Sequence, residues 1–152
     1  MASADPLDED ETVFVEGLLG GSEAVLFWEQ PPADQRHAYR AARVVEGQAR
    51  DRVDLARAAL LHDVGKRHAQ LGIFGRVLAS LLRQVGLRGS GRIARYLDHP
   101  AIGGAELEEA GSDRLVIEFA LHHHGDRPGT IQPDDWALLV AADHATGGRF
   151  AE

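Results

Sequence analysis

Apolar residues recur along this chain in steps of three and four, and nowhere do they alternate with polar ones over the length of a strand. The pattern predicts helices throughout. From Thr12, read as an N-cap, Val13, Phe14, Leu18 and Leu19 mark a short helix stopping at Gly20-Gly21, and Ala24 to Trp28 mark another before Pro31-Pro32. Asp34 is placed to cap a helix through His37 to about Ala49, with Ala38, Ala41, Ala42 and Val45 as a narrow stripe. Asp54 to Val64 forms a stronger helix, with Gly65 expected as its left-handed C′ residue. Gly72 and Gly75 punctuate the approach to an amphipathic segment at Val77, Leu78, Leu81 and Leu82, followed by an Arg-bearing connection from Gly86 to Gly91. Pro100 suits the first position of a helix ending near Gly111; Ser112 can cap the next, Asp113 to His124; Pro133 starts the last, through Asp143. The expected architecture is all-α, a bundle of five or more helices without internal repeats.

Residues 1 to 11 are rich in Asp and Glu and almost free of apolar side chains, so they read as a disordered acidic tail ahead of one domain over 12 to 152. The 152 residues suit a single core. Sixteen Lys and Arg against 24 Asp and Glu give a formal charge of −8, a field that repels polyphosphate chains and argues against general nucleic-acid binding. No stretch resembles a membrane span or a secretory signal, which points to the cytoplasm and to no membrane partner. Oligomeric state is not legible. With no cysteine present, any metal must be held by histidine and carboxylate, which directs attention to the eight histidines.

His or Asp stands on or beside an apolar helical face at five places: His37, His62-Asp63, His99, the triplet His122-His123-His124, and Asp143. Leu55, Ala59 and His62 follow steps of four and three, as do Trp136, Val140 and Asp143, so each stripe ends in a polar group directed inward. At about 100° per residue, His123 and His124 fall within the apolar arc of their helix and His122 falls beside Glu118. The triplet reads either as two ligands or as a solvated helix end whose cations meet the negative pole of the helix. Imidazoles and carboxylates on facing helices suit Fe, Mn, Zn, Ni or Co. Trp28, Trp136 and Phe119 read as core anchors, since no basic groove accompanies them.

The string Leu60-Leu61-His62-Asp63-Val64-Gly65-Lys66 resembles the signature of the HD-domain superfamily of metal-dependent phosphohydrolases. His37 stands at the first His ligand of that superfamily, His62 and Asp63 at its doublet, and Asp143 at its closing Asp. His99-Pro100 with Gly103, and the His123-His124 pair, resemble the additional ligands of the HDIG and HD-GYP branches, which hold two or three ions. The sequence after the triplet, Gly125-Asp126-Arg127-Pro128-Gly129-Thr130, departs from the Glu and Gly-Tyr-Pro of the cyclic-di-GMP phosphodiesterases. The likeness spans about residues 33 to 147.

The resemblance implies an HD-type helical bundle and a phosphohydrolase, phosphomonoesterase or phosphodiesterase, acting on a small nucleotide or cyclic-dinucleotide-type substrate. Two divalent ions, bridged by Asp63 and held by His37, His62, His99, His123, His124 and Asp143, would activate a water for attack on phosphorus. Lys66 stands either as the family's phosphate-contacting lysine or as a surface lysine beyond a helix end. Arg40, one turn after His37, and Arg127 or Arg92 could reach substrate from the rim, or serve as solvated charges. His68 is expected on the surface, and His144 either in a local hydrogen bond or beside the site. The alternative function is a metal- or nucleotide-binding sensor with the same fold and no turnover.

Overall fold

The computed structural model describes residues 5–69, 82–86 and 91–147, and every regular element among them is helical. The elements are α1 (Glu9–Leu18), α2 (Gly21–Trp28), α3 (Pro32–Gln48), α4 (Val53–Leu61), a 3-10 helix (Val64–His68), α5 (Arg92–Leu97), α6 (His99–Glu109), α7 (Arg114–His122) and α8 (Pro133–Gly147). The expected segment at Val77, Leu78 and Leu81 lies outside the described residues.

α4 is the centre of the packing. Leu55, Ala56, Ala58, Ala59, Leu60 and Leu61 are all buried, so the helix is apolar around nearly its whole circumference and needs neighbours on every side. It contacts α1, α2, α3, α7 and α8. Ala38, Ala41 and Ala42 on α3 are fully buried and small, which lets the backbones of α3 and α4 approach closely. α6 packs on α7 and on the 3-10 helix. Among the described residues no helix is long and apolar enough to cross a membrane.

Several boundaries differ from expectation for identifiable reasons. The acidic residues assigned to a tail include a capping box: the Asp8 carboxylate accepts from Glu11 N–H at 2.9 Å, and the Glu11 carboxylate accepts from Asp8 N–H at 2.8 Å. Helix α1 therefore starts at Glu9 rather than after Thr12. Arg36 fastens this start to α3, donating to Glu11 at 2.9 Å and to the carbonyls of Asp5 and Pro6. Asp34 does not cap α3; Pro32 opens the helix and Asp34 is buried in its first turn. Ser112 does not cap α7, because its N–H is used to close α6. Gly111 N–H donates to Glu108 O and Ser112 N–H to Leu107 O, both at 3.0 Å, with Gly111 at φ +74. Asp113 then takes the N-cap position of α7.

Gly65 is also used differently. It is not left-handed; it lies inside the 3-10 helix, pressed against the first turns of α6. A Cβ there would overlap the His99 carbonyl oxygen and stand 2.7 Å from Gly103 N. Both obstacles are backbone, so the 3-10 helix and α6 would have to separate. Gly65→Ala is expected to destabilise the fold by about 2–4 kcal/mol, read from urea unfolding. A stability loss below about 0.5 kcal/mol would show that the contact yields easily.

Candidate metal centre

The packing brings chain segments far apart in sequence to one place. α3 supplies His37; the end of α4 supplies His62 and Asp63; the first turn of α6 supplies His99; the end of α7 supplies His123 and His124; α8 supplies Asp143. α4 stops at Leu61 because the chain turns through His62 and Asp63 into the 3-10 helix, which directs both side chains inward. His62, Asp63, His99 and His123 are buried.

Two groups of side chains are each close enough to share an ion, with their ligand atoms within 4.8 Å of one another. One contains His37, His62 and Asp63, and the other Asp63, His99, His123 and His124. Asp63 belongs to both, one oxygen to each. Its Oδ1 lies 3.1 Å from His99 Nε2 and 3.3 Å from His123 Nε2. Its Oδ2 lies 3.3 Å from His62 Nε2 and 3.9 Å from His37 Nε2. Asp143 completes the first side, with Oδ1 2.9 Å from His37 Nε2 and 3.3 Å from His62 Nε2.

Three rings are held from behind. His62 Nδ1 donates to Ala59 O and His123 Nδ1 to Ala120 O, each at 2.9 Å. His37 Nδ1 meets Thr146 Oγ1 at 3.1 Å, and that hydroxyl is itself tied to the carbonyls of Ala142 and Asp143. In all three the outer nitrogen is engaged and Nε2 faces the cluster, the orientation a metal-ligating imidazole requires.

The fit to a cation can be tested on the polar atoms themselves. His62 Nε2 and Asp63 Oδ1 are buried and make no hydrogen bond, a costly condition for groups of this polarity. A cation between them would satisfy both. Burial opposes ionisation of Asp63, yet Lys66, His62 and His123 outweigh it and hold the carboxyl well below its usual range. Asp143 is likewise held down against its burial, by its hydrogen bond to His37 and by the nearby His62 charge. Burial disfavours charge on His62, but Asp63 and Asp143 push its pKa up to about 10. His123 is lowered chiefly by burial, and His124 by partial burial and then by His123, His99 and Arg83. The centre thus has an anionic side at Asp63 and Asp143, while His123 and His124 resist carrying charge.

The other sequence candidates take varied positions. Lys66 is mostly buried and its ammonium contacts Asp63 Oδ2. Arg40 is exposed on α3, close enough to Glu11 to act on its charge. Arg127 donates to the carbonyl of Ile131 at 2.6 Å within its own loop, and Arg92 is exposed at the start of α5. His122 stands apart from both ligand groups, 3.5 Å from Glu118. His68 bonds Glu106 at 2.6 Å.

Arg67 belongs to no motif legible in the sequence. Its nearly buried guanidinium grips Glu106 through two contacts of 2.5 and 2.6 Å, donates to Val64 O at 2.9 Å and reaches Glu29 at 3.1 Å. It therefore ties the segment after Asp63 to the helix that carries His99. Only the 39-residue separation of Arg67 and Glu106 hides this pair, since neither stands in a motif.

The family model described as Cas3, HD domain, matches residues 22–145, most of the chain and every ligand position named above. The chain belongs to the Cas3 HD-domain family. HD domains are commonly metal-dependent nucleases or phosphohydrolases, and they bind divalent metals. The narrower likeness of His99, His123 and His124 to the HD-GYP branch rests on their spacing alone. Searches of curated proteins and of solved structures returned no match.

Two outcomes follow for this Cas3-type HD domain. Metal uptake near pH 7 is expected to displace the His62 proton, so calorimetry in buffers of different ionisation heat should show proton release, with affinity rising as pH climbs toward 10. Without metal, that proton favours the fold below the ordinary value of 6.5, and its contribution fades as pH rises through about 10. Replacing Arg67 by Ala is expected to weaken metal retention by the His99 group about tenfold, measured by elemental analysis after dialysis. Unchanged metal content would exclude a positioning role for Arg67.

Proposed function

We propose that this chain is a metal-dependent phosphohydrolase that cleaves a phosphoester of a nucleotide-type substrate. The observation that carries the reading is the division of Asp63 between two ligand groups, with His62 Nε2 and Asp63 Oδ1 buried there without a hydrogen bond. His37, His62, Asp63 and Asp143 would hold one divalent ion, and Asp63, His99, His123 and His124 a second; Fe, Mn, Ni, Co and Zn all suit such donors. When bound, these ions supply a water that is nucleophilic near neutral pH and neutralise phosphate charge.

The chain's own groups do the rest. Thr146 and the carbonyls of Ala59 and Ala120 keep three imidazoles turned inward, so little reorganisation is needed when substrate arrives. Asp63 stays ionised, and Lys66 sits beside it with an ammonium able to turn toward a phosphate oxygen. His124, at the exposed edge of its group, marks the side from which a phosphate would enter.

A second reading, cleavage of a nucleic-acid strand, is favoured by membership of a family that includes nucleases. A net charge of −8 weighs against broad strand binding and favours small substrates or strand ends. Metal-reconstituted protein should hydrolyse bis(4-nitrophenyl) phosphate; rates on mononucleotides, cyclic dinucleotides and single strands then choose between the readings. Asp63→Ala is expected to lose metal and turnover together, by more than about a hundredfold in rate. Lys66→Ala should keep its metal and lose about ten- to a hundredfold in kcat/KM. Turnover persisting in Asp63→Ala would overturn the assignment, and metal retained without any hydrolysis would leave a sensor.

A further inference from the structure

A cavity of about 330 Å³ opens directly on the His123 and His124 side of the centre. It is lined by the two imidazoles, by Trp136, Val140 and His144 of α8, and by Arg83 and Gly125. Trp136 and Phe119 meet nearly at right angles, with ring centroids 5.6 Å apart, and Phe119 in turn lies 5.9 Å from the His123 ring. The indole is thus fixed from behind while it lines the cavity. Arg83 is near enough to His124 to act on its charge, so its cation belongs to the same space.

The lining selects a chemistry. Among its described residues there is no carboxylate, although the protein as a whole is strongly acidic. Its apolar members are Trp136 and Val140, and its basic ones Arg83 and the histidines. A planar aromatic group attached to phosphate matches both kinds of lining. An aliphatic phosphate offers the indole no flat face, and a sugar phosphate offers it only C–H groups. The size lies at the lower end of the roughly 300–1,000 Å³ common for small-molecule sites, which suits one such unit rather than two.

We infer that this cavity is the subsite for one nucleoside unit of the substrate, with the base against Trp136 and the phosphate between Arg83 and the His123-His124 imidazoles. Trp136 and Arg83 then determine specificity, the first for a nucleobase over other phosphoesters and the second for its phosphate. The inference rests on the phosphoester reading above, because it takes the reacting phosphate to lie at the ligand cluster.

The test uses the full chain carrying Trp28→Phe, which leaves Trp136 as its single tryptophan. In the zinc-loaded protein, adenosine monophosphate should quench indole fluorescence saturably, while ribose 5-phosphate and inorganic phosphate should not. Trp136→Leu should weaken adenosine monophosphate binding about tenfold by calorimetry and leave inorganic phosphate binding unchanged. If Trp136→Leu fails to fold, the exposed-site variant Arg83→Glu, which leaves the core intact, should weaken the nucleotide about tenfold at native melting temperature. A short single-stranded oligonucleotide distinguishes the source: tighter quenching than by the mononucleotide assigns the unit to a strand end, weaker quenching to a free nucleotide. Equal binding of adenosine and ribose phosphates, or nucleotide binding without change in indole emission, overturns the subsite. Hydrolysis of bis(4-nitrophenyl) phosphate alongside that result leaves the phosphohydrolase reading intact; nucleotide quenching without hydrolysis of any phosphoester leaves the subsite and removes the enzyme.

Discussion

The whole arrangement depends on a carboxylate placed where a carboxylate is expensive. Asp63 is buried just past the end of α4, a helix enclosed on nearly every side, and an ionised group there is tolerated only with opposite charge around it. Lys66 and the proton on His62 provide that charge in the metal-free chain. Each compensating group comes from the same short stretch of sequence, whereas the imidazoles that face Asp63 come from α3, α6 and α7. The bundle can therefore be viewed as scaffolding around one anionic point, with α4 as the rod that carries it inward.

This placement also separates two kinds of environment only a few ångströms apart. On the Asp143 side, two carboxylates face His37 and His62, and protons compete strongly for the space a cation would take. On the other side, burial and neighbouring rings disfavour charge on His123 and His124, and His123 Nε2 lies 3.3 Å from His99 Nε2. His124 is the exposed member of that group.

Much of this was legible in the sequence because it depends on helical spacing. Steps of three and four placed His62 and Asp143 at the inner ends of apolar stripes, and the angular position of His122 separated it from its neighbours. What escaped was set by other physics. The capping box at Asp8 and Glu11 is a visible four-residue motif, yet the surrounding acidity made the segment look like solvated coil. Ser112 and Asp113 are both good caps, and only the closing turn of α6 decides between them. The grip of Arg67 on Glu106 is a tertiary contact between two ordinary surface residue types, so no local pattern reveals it. Gly65 stands out in the sequence without disclosing why, since a glycine required by crowding and one required by a left-handed bend look identical there.

That crowding has a mechanical meaning. Where the 3-10 helix crosses α6, main chain meets main chain with no side chain between them, and atoms in hard contact yield far less than flexible side chains. His99 is therefore carried on a nearly rigid ruler measured from Asp63. Anything held between those two side chains would have to suit a gap that the main chain has already fixed, so the protein, and not its occupant, would dictate that span.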